Sequence, residues 1–276
     1  MINKFAAAVE QAAAQTNMAE AQKGGGDYQP PAAGLVRLRF VGYIELGKHD
    51  KEFKGVVSQK PFAQFLFEAS GPKHPPREFD GVKTPIMFSE RMVKSQSEKA
   101  AFFKLFRRMA AGTSAKHFAE LLGREYIATV VHNTVGEGAD AKTYANLKDA
   151  DGVWTIREPF IDNVDPETGE ATRTQIKVDE PTVPLRCFLW DYADKDQWDS
   201  LFIDGEWEAK TDDKGKVTQE ARSKNVYQNA IRSAHDFVGS PWQQVLAAGG
   251  EADIPDPETP AANAGDASAD PLEGAG

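Results

Sequence analysis

One cysteine, Cys187, stands among 276 residues, so no intramolecular disulfide can form and no cysteine-based zinc cluster can be completed. It sits in an apolar run between Leu185 and Trp190 and reads as a small buried hydrophobe. The histidines, at 49, 74, 117, 132 and 235, have no metal-ligand spacing. No apolar run reaches the roughly 20 residues that a membrane-spanning helix needs. Residues 1–23 are rich in alanine but are interrupted by Glu10, Gln11, Gln15, Asn17 and Glu20, which does not fit a secretory leader. These absences predict a soluble intracellular protein of a reducing compartment, with no metal, no cofactor and no membrane partner.

The strongest absence lies at one end. Residues 249–276 contain no Lys, no Arg and no aromatic side chain, but carry Glu251, Asp253, Asp256, Glu258, Asp266, Asp270 and Glu273 among Ala, Gly and Pro. Such a stretch has too little apolar surface to offset its ordering entropy, so it is expected to be a disordered acidic tail. The rest of the chain is charged differently. Residues 35–135 hold seventeen Lys and Arg against ten Asp and Glu and are dense in Phe and Tyr, whereas residues 136–248 hold thirteen against twenty-two. A formal net charge of −10 therefore does not exclude a polyanionic ligand, because binding depends on the local patch.

Periodicity divides the chain into four parts. Residues 1–34 read as a marginal N-terminal helix, with Ile2, Phe5, Val9 and Ala12 at helical spacing, closed by Gly24, Gly25 and Gly26 and followed by an extended linker at Pro30 and Pro31. Residues 35–160 read as strands at 35–46, 62–69 and 86–93, a helical segment, and strands at 125–133 and 142–147, with a short extended piece at 153–157. Ser95 and Glu98 have capping-box spacing for the helix carrying Phe102, Phe103, Leu105, Phe106 and Met109, and a shorter helical piece spans 115–122. Three strands, a helix and two strands is the order of a five-stranded OB barrel. Residues 161–248 read as an α/β extension. It has hairpin turns at Asp165–Gly169 and Asp204–Gly205, an aromatic cluster of Trp190, Trp198, Phe202 and Trp207, a helix over 223–237 and a last turn over 242–246. Residues 249–276 are the tail.

Single-strand binding needs cations along the phosphates and flat rings on which bases stack. Strict alternation puts Val36, Leu38 and Phe40 on one face of the first strand and Arg37, Arg39 and Tyr43 on the other. A basic loop after that strand adds Lys48, Lys51, Phe53, Lys54 and Lys60. Phe62, Arg91 and Lys94 complete the expected DNA-binding set, while Phe65 and Phe67 belong to the core.

Four segments, Arg37 to Leu46, Phe53-Lys54-Gly55, Val130 to Asn133 and Lys142 to Leu147, together resemble bacteriophage OB-fold single-stranded DNA-binding proteins with an acidic C-terminal tail. Cys187 to Asp191, Ser223 to Asn225 and Phe237 to Ser240 are similar to the same group. The resemblance implies a non-enzymatic protein that coats and protects single-stranded DNA in phage replication and recombination, in the cytoplasm of the infected bacterium. It also implies that the tail recruits DNA polymerase, helicase or recombinase, with Asp253, Ile254, Asp256, Asp270 and Leu272 as contact points; a homo-oligomer is left open.

Other chemistry fits less well. Residues 136–143 nearly match a phosphate-binding loop, but Ala141 replaces the required glycine and no helix follows Thr143. Asp162, Asp165 and Glu167 do not match a calcium loop. Asp191, Asp194, Asp196 and Asp199 are the carboxylates a metal-dependent nuclease would use, but Asp194 reads better as a helix cap. A strand-annealing accessory protein and a scaffold for an acidic partner are the remaining alternatives.

Overall fold

The computed structural model describes residues 29–248, apart from 80, 137–140, 212–214 and 216. The N-terminal helix and the acidic tail, with Asp253, Ile254, Asp256, Asp270 and Leu272, lie outside the described residues. The chain divides into two compact units, residues 1–29 with 208–221, and residues 30–207 with 222–276. In the first unit, strands β12 (Lys210–Thr211) and β13 (Val217–Gln219) form an antiparallel pair.

The second unit is mainly β, built on an antiparallel sheet curled into half a barrel, with few helices. Its long strands are β1 (Gly34–Phe53), β2 (Val56–Ser70), β5 (Ile86–Val93), β6 (Glu125–Val135) and β7 (Lys142–Asn146), in the order β5-β2-β1-β6-β7. A small pair, β3 (Arg77–Phe79) and β4 (Val82–Thr84), precedes β5. β1 pairs with β2 from Arg37↔Ser70 to Phe53↔Val56. Along its other edge it takes β6 over Gly34–Arg39 and then β10 (Arg186–Phe188), in parallel, over Gly42–Ile44.

Two bulges in β1 decide which side chains point inward. Phe40 pairs with Phe67 and Gly42 with Leu66, leaving Val41 as an extra residue; Glu45 pairs with Ala63 and Gly47 with Phe62, leaving Leu46 extra. Each extra residue shifts the alternation by one. Val36, Leu38, Phe40 and Tyr43 thus share the inner face with Ala63, Phe65 and Phe67, while Val41, Ile44, Leu46 and Leu66 face outward. Glycine is required where the outer layer comes closest. A Cβ on Gly42 would lie 2.6 Å from the Leu66 side chain, and one on Gly47, at φ +79°, would lie 2.4 Å from the Trp190 ring.

The inner core is closed by α1 (Ala101–Met109) and a 3-10 turn, Phe118–Leu121, whose Phe118 meets the rings of Tyr43, Phe65, Phe102 and Phe106. Both ends of α1 are tied down: Trp154 Nε1 donates to the Ala101 carbonyl and Tyr126 Oη to that of Met109. The expected capping box does not form. Ser95 Oγ accepts from the Ser97 amide and the Lys94 amide donates to the Pro61 carbonyl at 2.7 Å. The chain turns at Glu98 and Lys99, the Ala100 amide donating to the Ser97 carbonyl, before α1 starts at Ala101. The piece expected over 115–122 is the 3-10 turn, capped by His117 and followed by Gly123 at φ +78°.

The outer face of β1 and β2 is covered as well. Phe188, Trp198, Leu201, Ile231, Ala234, Phe237, Trp242 and Leu246 pack against Val41, Ile44, Leu46 and Leu66. They come from β10, α2 (Lys195–Ser200), α3 (Val226–Arg232), α4 (Pro241–Ala248) and their connections. Glu68 fastens this layer by accepting from the Thr182 amide and hydroxyl and the Val183 amide. Asp194 caps α2, accepting from the Gln197 amide at 2.8 Å, as its position predicts. The helix expected over 223–237 stops at Arg232, with Ile231, Ala234 and Phe237 still facing the core. Only Trp198 of the expected aromatic cluster is fully enclosed, against Phe188 and Trp242, while Phe202 and Trp207 are exposed. Asp204–Gly205 is not a hairpin turn: β11 (Glu206–Trp207) pairs instead with β14 (Arg222–Ser223). Asp165–Gly169 is one, linking β8 (Phe160–Val164) to β9 (Ala171–Gln175). Among the described residues no helix is long and apolar enough to cross a membrane.

Candidate nucleic-acid interface

The structure separates the expected DNA-binding residues into two groups. Tyr43 and Arg39 are in the interior. The bulge at Val41 turns Tyr43 inward, where its ring stacks on Phe118 and its hydroxyl donates to Glu45 Oε1 at 2.9 Å. Burial, reinforced by the Glu45 carboxylate, pushes that hydroxyl well above the usual tyrosine range. Arg39 stays on the outer face but is only 6% exposed. Its guanidinium donates to the carbonyls of Gly123, Val178 and Asp179 and to Glu125 Oε1, and pairs with Glu180. It is a brace between β1, the start of β6 and the segment after β9, with no face left for a base.

Lys94 is also withdrawn. Its Nζ lies 2.6 Å from Glu45 Oε1, whose other oxygen accepts from the Trp190 amide. Lys94 thus balances a buried carboxylate that would otherwise be costly. Arg37 is half-buried beside Gly71 and lines a cavity of about 400 Å³ with His74, Pro75 and Glu180, at the end of β1 opposite Phe53.

The second group stays together. The expected basic loop over 48–60 is not a loop: β1 and β2 continue as a paired hairpin arm to a two-residue turn at Lys54 and Gly55. Both turn residues have positive φ, 51° and 76°, the geometry that suits the right-handed twist of paired strands. Past the second bulge the register puts His49↔Lys60, Lys51↔Ser58 and Phe53↔Val56 on the face that carries Phe62, while Asp50↔Gln59 and Glu52↔Val57 alternate to the other. Across β2, Gln64↔Arg91 extends the same face onto β5, where the Arg91 guanidinium lies 5.0 Å over the Phe62 ring. From Phe53 to Arg91 the strands themselves place Lys51, Lys60 and Arg91 on this face and no carboxylate, while Asp236 approaches it at the root beside His49.

At the tip, Phe53 is 51% exposed and Val56 67%, with Lys54 Nζ 5.4 Å from the Phe53 ring centre. Lys48 projects from the arm's base, where its amide donates to Asp236 and its carbonyl accepts from the His235 amide. His235 Nε2 lies 2.9 Å from Asp50, so the arm's root is bound to the turn after α3. His49, tucked between Phe62 and the Leu46 carbonyl, has its pKa held down by burial and then by nearby Arg91. Position alone could have flagged the tip, because Phe53 sits among charged residues. The involvement of His49 and the neutral Gln64–Ser89 step, joined by a 2.7 Å hydrogen bond, carried no sequence signal.

Of the carboxylates considered for metal chemistry, Asp162, Asp165, Asp194 and Asp199 have structural partners. Asp165 accepts from the Glu167 and Thr168 amides, which lowers its pKa, and Asp199 pairs with Lys195. Among the described residues no group of three or more His, Cys, Asp and Glu is arranged to hold a metal ion. The near-miss phosphate loop joins two paired strands, β6 and β7, and no helix follows it. Cys187 is half-buried, its thiol pKa raised by burial and then by Glu45. No protein-family model, curated protein or solved structure matches the chain.

Proposed function

We propose that this chain binds single-stranded DNA with little sequence preference, through the face that runs from the tip of the β1–β2 arm to Arg91. The observation that carries this reading is the carboxylate-free alignment of Phe53, Lys51, Lys60, Phe62 and Arg91 along one face of paired strands. Such an alignment offers cations for phosphates beside a ring on which a base can stack. The strand path supports it further. Order β5-β2-β1-β6-β7, with α1 between β5 and β6, is the path of an OB barrel whose closing pair is left open. In that fold, nucleic acid lies on the second and third long strands and the first hairpin loop, here β2, β5 and the arm.

The role is non-enzymatic: coating and protecting single strands during replication and recombination, in a phage-infected cell. The acidic tail competes for the arm at low salt and, once displaced by DNA, presents Asp253, Ile254, Asp256, Asp270 and Leu272 to polymerase, helicase or recombinase. Fluorescence anisotropy with labelled single-stranded and duplex oligonucleotides over a salt series tests the reading. Tight single-strand binding with a steep salt slope and weak duplex binding is expected. Absence of binding at low salt overturns it. Removing residues 249–276 should raise affinity at low salt and not at high salt.

A further inference from the structure

Besides the β1–β2 arm, a second hairpin, β8–β9, presents exposed side chains, and its chemistry is the complement of the arm's lysine-bearing face. It carries Asp162, Asp165, Glu167 and Glu170 against Arg173 alone. Its turn-proximal pair is Val164↔Ala171, with Val164 64% exposed. The hairpin is preorganised: Asp165 holds the turn through the Glu167 and Thr168 amides, and Arg173 stacks 4.3 Å over Phe160 while pairing with Glu158. An apolar step beside carboxylates on one hairpin matches the apolar Phe53–Val56 step beside lysines on the other.

The two do not meet within the molecule, where Phe53 and Val164 are both exposed. The β8–β9 hairpin is rooted where the chain pairs Ile127 with Arg157 and where the Val178 and Asp179 carbonyls grip Arg39. Phe53 is fourteen residues further along β1, on the order of 45 Å of strand, whereas five paired residues of β8 reach about 17 Å. The exposure of Val164 and Phe53 agrees with this separation.

We infer that the β1–β2 arm of one molecule takes the acidic β8–β9 hairpin of a second copy of this chain, so that the DNA-free protein self-associates through unlike surfaces. The inference builds on the proposed DNA face, because hairpin and DNA then compete for it. Contacts between unlike surfaces need not close, so association continues with concentration. The hairpin is already folded and offers an exposed valine, so it loses little freedom on docking, whereas residues 249–276 contain no aromatic side chain to set against Phe53.

Sedimentation velocity of the full chain without nucleic acid, over protein concentration at low and high salt, tests this. The sedimentation coefficient should rise with concentration at low salt and stay flat at high salt. The exposed double substitution Glu167→Lys, Glu170→Lys should abolish the rise, with circular dichroism unchanged. An unlabelled oligothymidylate should also disperse the assemblies. A wild-type protein that remains monomeric throughout overturns the inference, as does association that survives the double substitution. Association that survives it but disappears on removing residues 249–276 assigns the arm to the tail instead. No step before the oligothymidylate arm uses DNA, so failure of the DNA reading alone leaves the concentration dependence intact.

Discussion

The two halves of β1 are built from similar residues and do different work. From Gly34 to Leu46 the strand has neighbours on both edges and packed layers on both faces, so its Arg39 and Tyr43 are internal parts. Beyond the root that His235 and Asp236 hold, only β2 accompanies it from Lys51 to Phe53, both faces are open near the tip, and the same mixture of cations and rings is on display. A basic or aromatic residue in this chain thus becomes a brace or a ligand contact according to what covers it. That cover arrives from far along the sequence, from Phe118 for Tyr43 and from Gly123, Val178 and Asp179 for Arg39.

Breaking the inner half should have the largest effect. Arg39→Ala leaves three carbonyls and Glu125 without their donor, and should cost about 3–5 kcal/mol of unfolding free energy in denaturant titrations, while the protein that remains folded keeps its single-strand affinity. Phe53→Ala reverses the pattern. Thermal stability should stay within about 0.5 kcal/mol of wild type, but oligonucleotide binding should weaken by about 1–3 kcal/mol, one lost stacking contact. Gly47→Ala should fall between them, destabilising by about 1–3 kcal/mol as its methyl displaces Trp190, with little change in the salt slope of binding.

Much of this division was legible in the sequence, up to the bulges. The five long strands, Ile86–Val93 to the residue, the Asp194 cap and the Asp165 turn follow from alternation and turn chemistry. The faces of β1 do not, because Val41 and Leu46 look like ordinary strand residues and only the pairing register shows each to be the extra one. Strict alternation therefore put Tyr43 outside. The arm was misjudged for a related reason: its lysines suggested a loop, whereas regular pairing with β2 extends it to the turn. The layer over the outer face depends on a parallel contact between residues about 144 apart, Tyr43 with Cys187, which no local pattern encodes. Ser95 and Glu98 had the right spacing for a cap, but Lys94 is tethered to Pro61 and Glu45, and Glu98 enters a turn closed from Ala100 to Ser97, so the helix starts only at Ala101.

A smaller effect concerns pH. His49 and His74 both have pKa values lowered from 6.5, chiefly by burial. Below pH 6.5 the unfolded chain takes up protons that the folded chain refuses, so stability should decline as pH falls from there toward the folded pKa values and level off below them. Thermal melts of wild type and His49→Gln across that range measure it, and the variant should show the shallower decline. The smallest expected change is Lys60→Gln, which should reduce the slope of log affinity against log salt by about 0.7 and leave stability unaltered.

Ultraviolet crosslinking of the full chain to an oligothymidylate, followed by mass mapping of the attached peptides, addresses the contrast between the halves most directly. The account predicts adducts in the arm and its continuation, centred on Phe53 with a lesser yield at Phe62, and none at Tyr43. Adducts confined to α1, around Lys104, Arg107 and Arg108, or a yield at Phe53 no higher than that of a buried ring such as Phe65, would contradict it.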